Sequence, residues 1–311
     1  MKIVVTGGAG FIGSHICEAL HLENDVHVID NLRSGYKKNL DGLDITFHEN
    51  DIRNPEILDE ILPGTETVFH LAALISVPES MEEPAECISI NTFGTVNLLE
   101  ACKRHKVKNI VLSSSAAIYG DNPDVPKKET MLPEPRSPYG ITKLDGEYYF
   151  DLYRREYNMN AVCCRYFNVF GPRQDPSSQY AAAVPIFISN ALQNRDIKIY
   201  GDGLQTRDFI FVKDIAAANN FLAENGIKDN SLPLCNVFNV GYGKSITIND
   251  LAEKCIEITG SSSKIIYMPE RPGDVKHSLA DNSRLKQSGC NLNSDMNTGL
   301  EKTIDYFSSK I

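Results

Sequence analysis

No CxxC pair occurs in this sequence: its eight cysteines are scattered, and only Cys163 and Cys164 are adjacent. That spacing argues against a zinc site and a disulfide framework and leaves buried, reduced thiols. Histidine offers no metal either, since His15, His21, His27 and His48 follow no ligand spacing and are expected at the surface or at sheet edges. No apolar run approaches the length of a membrane span. Met1-Lys2 leads straight into Ile3-Val4-Val5, without a signal-peptide layout, so a cytoplasmic chain is expected. Positive charge is also short, with 31 Lys and Arg against 41 Asp and Glu and a net charge of −10. This argues against broad attachment to nucleic acid or to an anionic membrane, although a local basic pocket can still hold a phosphate. Repeats and low-complexity tracts are absent.

What is present is an ordinary globular composition, 42% hydrophobic and 23% charged, over 311 residues. That length suits one large or two closely joined domains. Residues 3–6, 26–29, 45–48, 67–71 and 110–113 read as strands, rich in β-branched residues and bounded by turn residues. Segments of helical length such as 86–104 lie between them, and another strand is expected at 161–166 after a helix starting near Tyr139. The alternation predicts an α/β fold, a Rossmann-type doubly wound parallel sheet with a smaller α/β C-terminal substrate lobe. Residues 168–180, rich in Gly, Pro, Asp, Ser and Gln, mark a loop or boundary. A helix is expected at 181–194, strands at 197–200 and 209–212, and a helix capped by Thr247 with Asp250 and running to Ile256. The expected division is residues 1–167 for dinucleotide binding, with a return at 208–241, and residues 168–207 and 242–311 for substrate. The ligand belongs in the cleft between them, at the carboxyl ends of the strands.

Thr6-Gly7-Gly8-Ala9-Gly10-Phe11-Ile12-Gly13 follows the first strand and opens a helix. Missing side chains let backbone N–H groups approach a pyrophosphate, and the helix N-terminus favours its charge. Asp30 ends the second strand, where a carboxylate accepts hydrogen bonds from the ribose hydroxyls and repels a 2′-phosphate. NAD is therefore expected rather than NADP, with nearby Arg33 as the one feature favouring NADP.

Tyr139 and Lys143 stand four apart on one helix face. A phenol of ordinary pKa ~10 needs about 4 kcal/mol of phenolate stabilisation to work as a base near neutrality. A lysine ammonium and a cationic nicotinamide ring supply it in principle. Ser113-Ser114-Ser115 ends the preceding strand at the ligand-bearing edge, so a hydroxyl there can bridge substrate and phenol. His70, ending a strand beside the cofactor, is expected to pack rather than react.

TGGAGFIG, Asp30-Asn31-Leu32, His70-Leu71-Ala72-Ala73, SSSAAIYG at 113–120, PYGITK at 138–143 and RYFNVFGP at 165–172 together resemble the extended short-chain dehydrogenases acting on nucleotide sugars. Within that group the chain is most similar to the UDP-hexose 4-epimerases, over nearly its whole length. The resemblance implies Tyr139 as base, Lys143 on the nicotinamide ribose and Ser115 as the hydroxyl beside the reacting C4. It places Gly7, Gly10, Phe11, Ile12, Asp30, Asn31, Ser34, Asp51, Ile52, Leu71, Ala72, Ala73 and Asn91 on NAD, with Ser113 and Tyr166 near the nicotinamide. Asn168, Tyr200, Arg207, Arg271 and Asp274 are implied for UDP, the arginines being well shaped for a pyrophosphate. Ile75 departs from the pattern, since similar glucose epimerases carry a lysine there.

Relatives of this kind share the oxidation of C4 and differ in the step after it. Dehydratases of the resembling group carry an Asp-Glu pair, and decarboxylases a Glu, where this chain has Ala116 and Ala117. Neither alanine moves a proton, which leaves oxidation and re-reduction. In the resembling epimerases the position of Ser278 walls the sugar pocket. A small residue there implies activity on UDP-GlcNAc and UDP-GalNAc, and on UDP-Glc and UDP-Gal as well. Alternatives are a glucose-only epimerase, a UDP-glucuronate epimerase with Arg173 on the carboxylate, an NAD-linked nucleotide-sugar reductase and a regulatory dinucleotide sensor. The resemblance further implies a homodimer through the Tyr139 helix and the helix near 91–104.

Overall fold

Runs of β-branched residues between turn signals become strands, and the computed structural model describes residues 1–176, 182–226, 236–270 and 276–310. The first half contributes β1 (Lys2–Thr6), β2 (Asp25–Asp30), β3 (Thr46–Glu49), β4 (Thr67–His70), β5 (Asn109–Ser115) and β6 (Asn160–Tyr166). Further strands come next: β7 (Asn168–Phe170), β8 (Ile197–Tyr200), β9 (Thr206–Phe211), β10 (Val237–Val240), β11 (Ser245–Thr247) and β12 (Ile265–Met268). The helices of the first half are α1 (Phe11–Leu20), α2 (Pro55–Ile61), α3 (Val77–Glu82), α4 (Pro84–Ile88), α5 (Gly94–Arg104) and α6 (Pro138–Tyr157). A π-helical turn, Ser89–Phe93, joins α4 to α5. Then come α7 (Ala183–Leu192), α8 (Val212–Asn225), α9 (Ile248–Thr259), α10 (Ser283–Gln287) and α11 (Met296–Ser308).

The large sheet is parallel throughout, in the order β10-β6-β5-β4-β1-β2-β3. Alternate residues of β1 bury on opposite faces: Ile3 and Val5 pack with α1 and α8, and Val4 packs with α2, α5 and α6. Both faces are covered, which is why these strands are apolar on both sides. Chain order reverses between β1 and β4, so the carboxyl ends of these two strands frame a crevice.

A second assembly gathers around Phe170, Phe187, Phe209, Phe211, Leu251 and Leu300. Its strands form a three-stranded sheet, β11-β9-β7, and a two-stranded pair, β12-β8. Between them the chain returns to the large sheet: α8 packs on α1, and β10 lies beside β6. Thr247 and Asp250 form a reciprocal capping box at the start of α9. That helix outruns the expected end at Ile256 and stops where Gly260 adopts a left-handed φ of 63°.

Three expectations need correction. The stretch 168–180 contains β7, a strand of three residues and so too short to announce itself by periodicity. The strand expected at 209–212 starts earlier, at Thr206. His15 is buried rather than exposed, its Nε2 2.9 Å from the Pro172 carbonyl, because the chain after β7 passes over α1. Among the described residues no helix is long and apolar enough to cross a membrane, and no three His, Cys, Asp or Glu cluster around a metal-sized site.

Candidate active site

The turn between β1 and α1 is set by steric limits on its glycines. Gly7 has φ +71°, and a Cβ on it would lie 2.6 Å from the Ala72 nitrogen on the loop after β4. A Cβ on Gly13 would lie 2.2 Å from the Gly7 carbonyl oxygen. Backbone from two neighbouring strands therefore closes to contact distance, and the amino end of α1 points into the opening. The opening is a cleft of about 570 Å³. Gly7, Gly10, Phe11, Ile12, Asp30, Asn31, Ser34, Asp51, Ile52, Leu71, Ala72, Ala73 and Ser113 all line it, and so does Ile75.

Asp30 sits at the end of β2 with both oxygens engaged, one by the Ala9 N–H at 2.9 Å and one by the Leu32 N–H at 2.8 Å. Burial raises its pKa, and these two bonds oppose the rise. Asn31 donates to Asp51 at 3.0 Å, fixing the far wall. Behind the wall Thr6, His70 and Thr95 form a chain, with His70 nitrogens 2.8 Å from Thr6 Oγ1 and 2.9 Å from Thr95 Oγ1. Burial holds the His70 imidazole down at about 3, so it stays neutral and packs.

Four expected cofactor residues do not line the cleft: Asn91, Tyr139, Lys143 and Tyr166. Asn91, on the π-helical turn, accepts from the Leu74 N–H at 2.7 Å and donates to the Leu74 carbonyl at 3.0 Å. It clamps the loop that follows Ala73, a positioning task. Tyr166 donates to Asn219 on α8 at 2.8 Å and is buried against the sheet. Tyr36, Gln174 and Asp175 line the cleft without any sequence signal pointing to them, and so does Arg173, considered only as a carboxylate partner. The Tyr36 hydroxyl donates to Asp175 at 2.6 Å across 139 residues of sequence, a contact with no local signal. Gly35 permits it by lying against the glycine turn, where a Cβ would be 2.9 Å from the Ala9 carbonyl carbon.

Tyr139 and Lys143 lie in the first turns of α6, which Ser137 caps by accepting the Gly140 N–H at 3.1 Å. Lys143 Nζ donates to the Ser113 carbonyl at 2.7 Å and stands 5.7 Å from the Tyr139 ring centre. Burial pulls its pKa to about 8. The Tyr139 phenol is raised by burial, while a hydrogen bond with Ser115 lowers it. The ammonium is thus committed to the end of β5, and Ser115 is the group that favours the phenolate. Beneath them Glu147, one turn beyond Lys143, accepts from Ser114 at 2.5 Å and pairs with the buried Arg165 at 2.7 Å.

The residues expected to hold UDP come from the smaller sheets and a loop beside them. Asn168 opens β7, Tyr200 ends β8, and Arg207 lies in β9 with Nη1 2.9 Å from the Thr206 carbonyl. The Ser278 N–H donates to that same carbonyl at 3.1 Å, which sets the half-buried Ser278 beside Arg207. Asp208 accepts from Tyr242, Gly243 and Ala280 N–H groups at 2.8, 2.9 and 3.0 Å and locks the segment in place. Burial pushes its carboxyl up to about 6. Arg271 and Asp274 lie outside the described residues. Arg173 is held by Glu18 at 2.5 Å and faces the dinucleotide cleft, which weakens the case for it as partner to a sugar carboxylate.

A phenol, a hydroxyl and an ammonium gathered at the end of β5, beside a cleft opened by a glycine turn, mark an extended short-chain dehydrogenase. The chain belongs to the NAD-dependent epimerase/dehydratase family, whose model matches residues 3–241, and its cofactor is NAD. A solved UDP-N-acetylglucosamine 4-epimerase from Methanobrevibacter ruminantium, in complex with UDP-N-acetylmuramic acid, is 44% identical. It superposes with a TM-score of 0.93 over 100% of this chain and 99% of that one. The UDP-glucose 4-epimerase of Thermotoga maritima, solved with UDP-glucose, is 40% identical with a TM-score of 0.93, again over 100% and 99%. The UDP-glucose 4-epimerase of Mycolicibacterium smegmatis is 35% identical over 100% of this chain and 99% of its own.

Proposed function

We propose that the chain is a 4-epimerase of UDP-hexoses that interconverts UDP-GlcNAc with UDP-GalNAc and also UDP-glucose with UDP-galactose. One observation carries the reaction type: Tyr139 and Ser115 meet at the end of β5, and the next two residues are Ala116 and Ala117. A site that could shift protons at C5 or C6 of a sugar would need another acid or base there. Bound NAD supplies reversible hydride exchange at C4. Ser115 bridges the 4-hydroxyl and the phenol, and Tyr139 takes the proton as C4 is oxidised. Lys143, fixed by the Ser113 carbonyl, orients the nicotinamide ribose. Tyr139 returns the proton after the 4-keto sugar has turned about its bond to the diphosphate. Asn168, Tyr200, Arg207, Arg271 and Asp274 grip UDP while the sugar turns. UDP-sugars in the similar solved structures support this assignment.

Ser278 carries the substrate range, as a small residue beside Arg207 that leaves room for an acetamido group. In this reading residues 1–167 with the return at 208–241 hold NAD, and 168–207 with 242–311 hold the UDP-sugar. The place of β10 in the large sheet supports the return, while β9 in the smaller sheet favours a start nearer Val212. Exposed Ile88, Phe93, Ile141, Tyr148 and Leu152 on neighbouring helices support a homodimer, which light scattering tests. The proposed compartment is the cytoplasm.

The test is to incubate purified protein and NAD separately with UDP-GalNAc and UDP-galactose and follow both by NMR. Formation of UDP-GlcNAc and UDP-glucose without net NADH is expected. Conversion of UDP-galactose alone removes the Ser278 argument, and conversion of neither removes the reaction.

A further inference from the structure

The adenosine end of the cleft carries a charge arrangement that the glycine turn does not explain. Arg33, on the loop after β2, donates from Nη2 to Glu79 at 2.9 Å and from Nη1 to Glu86 at 3.1 Å. Glu86 also accepts from Arg53 at 3.2 Å, and Arg53 binds Asp51 at 2.8 Å. Three carboxylates, Asp51, Glu79 and Glu86, therefore pair with two guanidiniums, and Asp30 lines the same cleft. Arg33, Asp30 and Asp51 line the cleft itself, and the two glutamates reach Arg33 from α3 and α4.

A guanidinium next to the ribose-binding carboxylate is the group suited to grip a 2′-phosphate bidentately. Both terminal nitrogens of Arg33 are already engaged. We propose that Glu79 and Glu86 determine cofactor specificity by holding Arg33 away from a 2′-phosphate, a second barrier to NADP behind the repulsion from Asp30. The proposal rests on the cleft being the NAD site. These side chains are each about a third or more exposed, so the pairs add little to fold stability. Their effect lies in where they keep the charge. To use Arg33, a 2′-phosphate must displace two carboxylates and then sit among them.

The experiment measures dissociation constants of NAD and NADP by calorimetry for the full chain, for E79Q/E86Q, and for that double variant with R33L added. The preference for NAD over NADP should fall roughly tenfold or more in E79Q/E86Q, as charge-assisted bonds to the freed guanidinium allow. NAD affinity should stay within a few-fold, and adding R33L should bring the preference back. Added salt should erode the gain, because the charges face solvent. An unchanged preference in E79Q/E86Q, or a gain that survives R33L, overturns the proposal while leaving the NAD site intact. A wild-type chain that binds no NAD overturns the site and the proposal together.

Discussion

On the nucleotide side of the crevice the wall is main chain: Gly7 against Ala72, Gly13 against Gly7, Gly35 against Ala9. On the side proposed to hold the sugar it is a set of side chains, Asn168, Tyr200 and Arg207 on strands of the smaller sheets and Ser278 on a loop beside β9, with Asp208 anchoring that loop. A backbone wall fits a constant ligand and tolerates no added atoms. A side-chain wall can be retuned one residue at a time. The difference suits the proposed division of labour, with the same NAD in every turnover on one side and a turning sugar on the other.

The chemistry between the two walls should give the largest effect. Tyr139→Phe is expected to lower turnover by roughly a thousandfold or more while NAD and UDP still bind. Activity within a few-fold of wild type in the NMR assay removes Tyr139 as the base. Gly13→Ala tests the backbone wall. Its Cβ would sit 2.2 Å from a carbonyl oxygen, and overpacking of this kind costs about 1–3 kcal/mol or more. Loss of NAD binding together with a lowered urea midpoint is expected, and retention of both would show a wall that yields. Ser278→Tyr tests the opposite side, with turnover of UDP-GalNAc falling on the order of 10- to 100-fold and UDP-galactose little changed. Equal losses on both sugars would mean that Ser278 does not set the gate.

The smallest expected effect concerns stability behind the nucleotide wall. His70 refuses a proton down to about 3, whereas in the unfolded chain it takes one up near the ordinary value of 6.5. Its contribution to stability is full above that ordinary value and is lost as the pH falls through the window below it. Between pH 7 and pH 5 this linkage amounts to about 2 kcal/mol. Urea titrations should show a shallower pH slope for His70→Gln, and identical slopes would mean that the imidazole is not held neutral.

Legibility in the sequence divides along the same line. The strands, the glycine turn, Asp30 and the Tyr139–Lys143 pair are local patterns, and each could be read from the sequence alone. So could the Thr247–Asp250 box, whose partners are three residues apart. Arg33 with Glu79 and Glu86, Tyr36 with Asp175, and His15 under Pro172 join distant residues, and nothing near either partner signals the contact. Asn91 shows a further limit. Its place near the cofactor loop could be inferred from resemblance, but its double bond to Leu74 depends on the π-helical turn that carries it. The ordinary chemistry of the phenol suggested help from Lys143, yet that ammonium is bound to Ser113, a detail fixed only by the seating of α6 on β5.

The neighbour of β6 on its outer side is β10, paired from Val237↔Cys163 to Val240↔Tyr166. In chain order the first six strands precede β10, so β6 lacks its outer partner until Val237 has been made. For that interval its backbone donors and acceptors are free to pair with another nascent chain. Much of the smaller lobe is made inside this window, between a sheet and its last strand. A polypeptide ending in that stretch would keep the glycine turn but lack β10, leaving the β6 edge unpaired.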